Sequence, residues 1–381
     1  MNSKPLLATL VTASLLASAC GEKAVVTKSG LDPENFKSEY EGQPTALYTL
    51  SNKSGMEVCI TNYGGRIVSI MVPDKNGEFK DVVLGFDKVS DYFPENHQTD
   101  FGAAIGRYAN RIDKGHITVD GKEYQLPQNN FGHCLHGGPQ GWQYKVYKTV
   151  EADQSHLKLE MDSPDGDMNF PGSVTAYVTY TLTDDNAIDI RYEATTDAPT
   201  IINMTNHSYF NLSGDPGNHP VTEMVMYINS SNITPIDETS MTDGTFRPVE
   251  GNAFDFRTAK EIGRDINDTT DVQIVNGKGY DHNWVLDTDR NDTVLALELY
   301  SPLSGIVMKE YTDEPGIQAY TGNYLDGTLT GKGGVVYGYR SGLALESQKY
   351  PDSPNKPDWP SPYLNPGETY TSHCVFAFST K

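Results

Sequence analysis

One short segment, Thr205–Leu212, places an ionisable side chain between amides and aromatic rings. The imidazole of His207 can give or take a proton near neutral pH, which makes it a candidate acid or base. Asn206 and Asn211 need hydrogen-bond partners if they are buried, and a plain strand avoids that cost. The segment indicates a functional site, although a structural histidine between turn-forming asparagines explains it equally well on its own.

A second segment, Leu343–Gln348, carries a carboxylate where a buried strand is expected to end. Leu343 and Leu345 alternate with small residues, and Glu346 then interrupts the apolar pattern. Loss of hydration raises the pKa of a carboxyl group, which prepares it to act as a general base. A salt-bridged glutamate at a sheet edge is the alternative, and the apolar neighbours favour the buried base.

Three further segments carry side chains that suit the hydroxyl groups of a ligand. They are Gly106–Ile112 with Asn110 and Arg111, His133–Gly138 with His136, and Gly279–Leu286 with Asp281. Guanidinium groups offer forked donors, carboxylates accept from hydroxyls, and glycines let the backbone approach closely. Each segment also has a plain structural explanation, namely surface ion pairing, an incidental histidine in a glycine turn, or a turn-capping aspartate.

Other kinds of chemistry find little support in the sequence. His133 and His136 lie three residues apart, but neither an HExxH pattern nor a third ligand at a useful spacing accompanies them, so no metal site is expected. A GxSxG elbow, a Walker phosphate loop and a dinucleotide fingerprint are all missing, which argues against a nucleotide. A formal charge of -22 without a long acidic run argues against nucleic acid as a partner.

The elements that must position these side chains are strands. Apolar and polar residues alternate with period two in the segments 174–182, 188–194, 295–299 and 370–378. This period is typical of strands with one buried face. Asp120-Gly121, between two short apolar segments, predicts a β-hairpin.

One helix is predicted, from Thr258 to about Ile266, because Thr258 and Glu261 have the spacing of a capping box. Hydrophobic residues make up 37% of the chain, which is ample core material, and no linker or repeat divides it. We therefore expect an all-β protein with little helix, formed by one large antiparallel β-sandwich over residues 38–381.

The N-terminus predicts export. Lys4 precedes an apolar segment, Pro5–Leu16, and small residues follow up to Cys20, as at a bacterial lipoprotein processing site. We expect residues 1–19 to be a lipoprotein-type signal peptide, Cys20 to carry the lipid, and residues 20–37 to be a flexible tether. The protein would then face the periplasm from a bacterial membrane. Cleavage as an ordinary signal peptide near Ala19 is the alternative.

Three cysteines remain beyond this segment, namely Cys59, Cys134 and Cys374. Their number is odd and their spacings are unrelated, so they predict no disulfide framework. At most one pair of them could form a bridge.

Taken together, the motifs resemble those of the aldose 1-epimerase (galactose mutarotase) family, in the order that the family has them. The matching segments are Gly106–Ile112, Leu135–Gly138, Thr205–Leu212, Gly279–Leu286, Pro315–Gln318 with Tyr320–Asn323, and Leu345–Gln348. The resemblance implies a galactose mutarotase-like supersandwich with an open cleft. It also implies interconversion of the α and β anomers of a free monosaccharide, such as D-galactose or D-glucose, without a cofactor or metal.

The resemblance assigns a role to each candidate residue. Glu346 resembles the general base at the C1 hydroxyl, and His207 resembles the general acid at the ring oxygen. The remaining residues resemble the family's substrate-binding groups: His136 and Arg111 as donors to the ring and C1 oxygens, and Asn110, Asp281 and Gln318 as hydroxyl clamps. His133 and His282 are expected to be structural. We expect Glu346 and Asp281 to favour the protonated imidazole of His207.

Three other functions fit parts of the pattern. A carbohydrate-binding lipoprotein without catalysis would keep the cleft, but the presence of both Glu346 and His207 argues against it. A glycoside hydrolase would use Glu346 and Asp281 as paired carboxylates. A mutarotase for hexose phosphates would need an additional basic cluster, which the sequence lacks.

Overall fold

The computed structural model of the protein describes residues 26–97 and 99–381. The predicted signal peptide and Cys20 lie outside the described residues. Strands dominate the described part, and the helices within it are short. Among these residues, no helix has the length and apolar character that crossing a membrane requires.

The strands are numbered in chain order. The first fifteen are β1 Ser38–Tyr40, β2 Gln43–Thr45, β3 Leu47–Ser51, β4 Glu57–Thr61, β5 Arg66–Pro73, β6 Phe79–Asp81, β7 Ala103–Ile105, β8 Arg111–Ile112, β9 His116–Val119, β10 Lys122–Gln125, β11 Cys134–Leu135, β12 Lys148–Ala152, β13 His156–Ser163, β14 Val174–Leu182 and β15 Ala187–Thr196. The others are β16 Thr200–Ile201, β17 Thr205–His207, β18 Tyr209–Phe210, β19 Val225–Ile228, β20 Ser230–Thr234, β21 Arg247–Pro248, β22 Lys260–Glu261, β23 Asp281–Leu286, β24 Leu297–Tyr300, β25 Ile306–Thr312, β26 Gly316–Tyr320, β27 Leu329–Thr330, β28 Val336–Tyr337, β29 Leu343–Gln348, β30 Tyr363–Leu364 and β31 Tyr370–Thr380.

The helices of the described part are few and short. They are α1 Val272–Gly277 and the 3₁₀-helices Pro33–Phe36, Val89–Tyr92, Asp113–Gly115, Trp142–Tyr144, Asp167–Asn169, Val221–Glu223, Ile262–Arg264, Lys332–Gly334 and Ser353–Asn355. Asp271 caps α1, because its side chain accepts from the backbone N–H of Gln273.

Two large antiparallel sheets form the sandwich. The nine-stranded sheet has the order β12-β13-β14-β15-β31-β25-β24-β19-β22, and the six-stranded sheet has the order β18-β29-β26-β23-β20-β21. A four-stranded sheet of β3 to β6 adjoins them. In β14 every second residue is buried, beginning with Val174, so the predicted alternation is confirmed. The expected fold class, an all-β sandwich with little helix, is confirmed as well.

The hydrophobic core explains which face of the six-stranded sheet carries the site. Trp284, Ile317 and Leu345 pack in one apolar cluster with β14 and β15 of the nine-stranded sheet. Side chains alternate between the two faces of a strand, so the residues on either side of these three point away from the core. The opposite face therefore carries the adjacent residues Asn283, Gln318 and Glu346 of β23, β26 and β29.

The predicted hairpin is confirmed. Strands β9 and β10 pair around Asp120-Gly121, with Lys122 opposite Val119. Both turn residues have positive φ, at 49° and 75°. That conformation is the one that a two-residue hairpin turn requires.

The predicted helix from Thr258 to Ile266 is wrong. Lys260 and Glu261 form β22, which pairs with Met226 and Val225 at the edge of the nine-stranded sheet. A 3₁₀-helix, Ile262–Arg264, follows directly. The capping-box spacing indicated a helix, but pairing with a sheet edge satisfies the same backbone groups and lets Ile262 enter the core.

The predicted boundary of the folded domain at residue 38 is too late. Leu31 and Phe36, which we assigned to the flexible tether, are buried in an apolar cluster with Tyr63 and Phe93. Asp32 caps the 3₁₀-helix Pro33–Phe36 by accepting from the backbone N–H of Glu34. The polar composition of the segment predicted a tether, but the burial of two apolar side chains stabilises its packing on the domain. At least residues 31–36 therefore belong to the fold.

The three cysteines of the described part are buried and unpaired. They lie on β4, β11 and β31, in three separate parts of the fold. Burial raises the pKa of Cys134 to about 12, which keeps its thiol protonated and unreactive.

A buried glutamate in the core has no part in the predicted site. Glu310 on β25 is completely buried, accepts a hydrogen bond from the Ser347 hydroxyl, and lies 3.7 Å from the Cys374 sulfur. Burial raises the pKa of Glu310 to about 7. The folded protein therefore holds a proton that the unfolded chain releases near pH 4.5.

We predict that Glu310→Gln makes stability less dependent on pH. Between about pH 4.5 and pH 7 the unfolded state ionises Glu310 first, so rising pH destabilises the wild type until the folded pKa is passed. The wild type therefore loses unfolding free energy as the pH rises from about 4.5 to about 8. We expect this loss to be about 1 to 3 kcal/mol smaller in Glu310→Gln, which has no carboxyl group to ionise. Urea unfolding of both proteins at the lower and at the higher pH measures this difference. The exposed variant Glu250→Gln is the control, and an equal pH dependence in wild type and Glu310→Gln would contradict the prediction.

Candidate active site

One cleft of about 380 Å³ brings together residues from distant parts of the chain. All seven catalytic and substrate-binding candidates of the sequence line it: Asn110, Arg111, His136, His207, Asp281, Gln318 and Glu346. They come from six strands or strand-flanking turns, so the antiparallel pairing of the sheets assembles the site.

His207 is the last residue of strand β17, and backbone pairing of this strand fixes its position. Strand β17 pairs with β7, which places His207 opposite Ala103. The side-chain amide of Asn206 donates to the carbonyl of Gly102 at 3.0 Å and accepts from the backbone N–H of Ser208 at 3.0 Å. The buried amide thus fixes the backbone on both sides of His207.

The central feature of the cleft is the contact between His207 and Glu346. His207 Nε2 lies 3.4 Å from Glu346 Oε1, and the two side chains are 5% and 3% exposed. Burial raises the pKa of Glu346 to about 7; His207 and Arg111 oppose this rise, whereas Asp281 and Asp100 add to it. This direction is the one expected for a carboxyl group on a core strand, and it brings the group into the range of a general base near neutral pH.

His136 is a neutral donor whose tautomer is fixed by Asn110. The backbone N–H of Asn110 donates to His136 Nδ1 at 3.2 Å, so Nε2 carries the ring proton. Both residues have positive φ, at 64° and 51°, a conformation that non-glycine residues adopt at a cost. Burial, together with His207 and Arg111, holds the pKa of His136 well below its ordinary value.

The adjoining glycine explains why the chain can turn so tightly here. Gly137 has a φ of 76°, and a Cβ on it would lie 2.2 Å from the carbonyl oxygen of Gly106. The turn that presents His136 therefore packs directly on the Gly106–Ile112 segment.

Asp100, His136 and His207 form the one group of metal-type ligands in the part of the chain that the structure describes. Their ligand atoms lie within 4.8 Å of one another. However, Nδ1 of His136 already accepts from the backbone N–H of Asn110 and Nε2 carries the ring proton, so neither ring nitrogen offers a free lone pair in this tautomer. The group suits the oxygen atoms of a ligand better than a cation.

The two arginines of the Gly106–Ile112 segment have different positions. Arg111 lines the cleft, where its Nε donates to Asn130 Oδ1 at 3.1 Å. Arg107 lies outside the cleft, and its guanidinium donates to backbone carbonyls including those of Pro171 and Gly172. Arg107 is therefore a structural residue.

Asp281 and Gln318 form a joined pair on adjacent strands. Gln318 Nε2 donates to Asp281 Oδ1 at 2.7 Å. Next to this pair along β23, His282 lies on the core face of the sheet, where it is completely buried and lies 3.1 Å from Gln273. His133 also lies outside the cleft lining and contacts Thr239 at 2.9 Å.

Seven other residues line the cleft and were not identified from the sequence. They are Asp100, Asn130, Phe131, Leu135, Tyr209, Tyr320 and Tyr324. Leu135, Tyr209 and Tyr320 lie inside matched motifs, so their position in those motifs was a usable signal. Asp100 lies in a loop without any period, and only the pairing of β7 with β17 brings it near His207.

Comparison with known proteins places this chain in a family. The sequence profile of the family described as aldose 1-epimerase matches residues 46–377. The galactose mutarotase of Rattus norvegicus is 41% identical over 324 residues, which are 85% of this chain and 91% of that protein. The aldose 1-epimerase of Escherichia coli K12 is 38% identical over 340 residues, covering 89% of this chain and 96% of that one.

A solved structure agrees with these matches. The GalM/aldose epimerase homologue from C. elegans superposes with a TM-score of 0.81 at 31% identity, covering 88% of this chain and 99% of the other. The chain belongs to the aldose 1-epimerase family and is an enzyme of the isomerase class. The resemblance drawn from the six motifs is thereby confirmed.

We predict that Asp100→Asn lowers the pKa of Glu346. The negative charge of Asp100 is one of the causes that raise this pKa, so removing the charge stabilises the carboxylate form. NMR titration of the labelled glutamate side chains, with Glu346→Gln to assign the signal, measures the change. Asp185→Asn, an exposed substitution outside the cleft lining, is the matched control. An unchanged or raised pKa of Glu346 in Asp100→Asn would show that the charge has no such effect.

Proposed function

We propose that Glu346 and His207 are the general base and general acid of this isomerase, which interconverts the α and β anomers of free aldohexoses such as D-galactose and D-glucose. The observation that carries the proposal is the 3.4 Å contact between these two buried side chains in one cleft. In a cyclic aldose the C1 hydroxyl oxygen and the ring oxygen are bonded to the same carbon. A base and an acid placed side by side can therefore serve both oxygens at once.

The reaction needs two proton transfers in opposite directions. The carboxylate of Glu346 takes the proton of the C1 hydroxyl while protonated His207 gives a proton to the ring oxygen. The bond between C1 and the ring oxygen breaks, and the C1 hydroxyl oxygen becomes the carbonyl oxygen of the open-chain aldehyde. Atoms and charge balance without a redox step or a second substrate.

Reclosure reverses the same transfers. After rotation about the C1–C2 bond, the former ring oxygen attacks the other face of the aldehyde. His207 recovers its proton from that hydroxyl, and Glu346 returns its proton to the C1 oxygen. Both residues end in the state in which they began, so the enzyme is ready for another sugar.

The remaining polar groups of the cleft bind and orient the sugar. The Nε2–H of neutral His136 and the guanidinium of Arg111 are donors for the ring oxygen and the C1 oxygen, where negative charge develops. Asp281, Gln318 and Asn110 offer donors and acceptors for the other hydroxyl groups. The names of the relatives, galactose mutarotase and aldose 1-epimerase, support the choice of a free aldose.

We predict that Glu346→Gln reduces the turnover of mutarotation by about a hundredfold to ten-thousandfold, because the amide cannot accept the C1 proton. Polarimetry of freshly dissolved α-D-galactose and α-D-glucose measures the rate. Glu310→Gln is a matched control, since Glu310 is also buried with a pKa of about 7 but lies in the core.

Two results would overturn the assignment. One is a wild-type rate equal to that of buffer, which would leave a sugar-binding protein without catalysis. The other is a Glu346→Gln rate equal to the wild type. Release of reducing sugar from an oligosaccharide would indicate a glycoside hydrolase instead, and competition by galactose 6-phosphate would indicate a phosphorylated substrate.

We also propose that the protein is exported and anchored to a bacterial membrane through a lipid on Cys20, facing the periplasm. The support is the sequence alone: the apolar segment Pro5–Leu16 after Lys4, and small residues before Cys20. We predict that cells fed an alkyne fatty acid label the wild-type protein and not Cys20→Ser. Equal labelling, or none in either protein, would contradict the anchor, and Cys59→Ser controls for loss of a different cysteine.

A further inference from the structure

A row of polar side chains crosses the six-stranded sheet behind the cleft. Thr234, Asn283, Gln318 and Glu346 are direct cross-strand neighbours on β20, β23, β26 and β29. Residues that face each other in this way share one face of the sheet, with Cβ atoms about 4.5–5.5 Å apart. Gln318 and Glu346 line the cleft, whereas Asn283 and Thr234 do not.

Each member of this polar row is buried and carries an unsatisfied atom. In the order Thr234, Asn283, Gln318 and Glu346, the exposed fractions of the residues are 0, 1, 4 and 2%. Within residues 26–97 and 99–381, no hydrogen-bond partner exists for Thr234 Oγ1, Asn283 Nδ2, Gln318 Oε1 or Glu346 Oε2. Buried polar groups nearly always have a partner in the protein or in ordered water, so four orphans in one row call for an explanation.

Gln348 extends the polar row along β29. It lies two residues after Glu346, on the same face, and its Nε2 donates to Asn283 Oδ1 at 3.4 Å. Its own Oε1 is unsatisfied among the described residues. Gly316 is opposite Gln348, and a Cβ there would lie 2.5 Å from Asn283 Oδ1, so the amide of Asn283 occupies the space that a side chain would fill.

None of the orphan atoms forms a hydrogen bond with another of them. Gln318 Oε1, Gln348 Oε1 and the ionised Glu346 Oε2 are acceptors, and Asn283 Nδ2 and the Thr234 hydroxyl are the donors. Water both donates and accepts, and polar buried sites of this kind hold it in proteins. Water molecules joining the row would satisfy all five atoms.

We propose that the polar row is an internal hydration site behind the sugar cleft, through which Asn283 and Gln348 act as positioning residues for Glu346 and Gln318. Water bound to the inner oxygens keeps Glu346 Oε1 turned towards His207 and Gln318 Nε2 turned towards Asp281. A water molecule that donates to Glu346 Oε2 also stabilises the carboxylate, the form that accepts a proton. The inference rests on the proposed role of Glu346 as the base.

The test uses Gln348→Met, which keeps the length of the side chain and removes both polar atoms. Gln348 does not itself line the cleft, so turnover should fall about tenfold to a hundredfold because the base is misplaced, whereas KM should change less, because Gln318 keeps its hydrogen bond to Asp281. The acid limb of the pH profile of kcat/KM should move to higher pH, because the carboxylate loses polar support. The charged groups that face Glu346 are unchanged in the variant: His207, Asp281, Asp100 and Arg111.

The matched control is Ser347→Ala. Ser347 is the next residue of the same strand but points to the core, where its hydroxyl donates to Glu310. It should change stability without moving the pH profile. Thr234→Val, which removes only the far hydroxyl of the row, should give a smaller effect than Gln348→Met in the same direction.

Three outcomes would overturn the inference. The first is a folded Gln348→Met protein with wild-type turnover and pH profile. The second is an equal shift of the profile in Ser347→Ala. The third, which needs no variant, is a high-resolution crystal structure of the wild type without water within hydrogen-bonding distance of Asn283 Nδ2 and Glu346 Oε2. If Glu346→Gln itself kept full activity, the proposed function would fail and not only this inference.

Discussion

The buried contact between His207 and Glu346 is the constraint on which the rest of the site depends. Two ionisable groups that are removed from water destabilise the fold unless each is partnered and held. The chain holds them by backbone pairing on both sides, with β17 against β7 and β29 against β26. The geometry of the acid and the base is therefore set by strand register and not by flexible loops.

The same constraint explains why one face of the six-stranded sheet is mainly apolar and the other carries polar groups. Trp284, Ile317 and Leu345 supply apolar contacts to the main core, which offsets the cost of polar groups on the opposite face. On that face, Gln318 and Glu346 belong at once to the cleft and to the row of polar residues behind it. Catalytic and supporting groups thus share the same strands.

Much of this arrangement could be predicted from residue type and spacing. The period of two in Val174–Leu182 indicated a strand, and an interrupted apolar pattern indicated that Glu346 is buried. Asp100 could not be predicted, because its place beside His207 depends on long-range strand pairing. Two predictions were wrong for the same reason, namely the helix at Thr258–Ile266 and the start of the folded domain at residue 38. Local composition does not show which distant part of the chain will pack on a segment or pair with it.

A structure of the Glu346→Gln variant with bound D-galactose tests the central claim most directly, because the slowed reaction leaves the sugar in place. We expect the C1 hydroxyl oxygen about 2.6–3.2 Å from the side chain of residue 346, and the ring oxygen at a similar distance from His207 Nε2. A sugar bound with its C1 edge turned away from this pair would contradict the account.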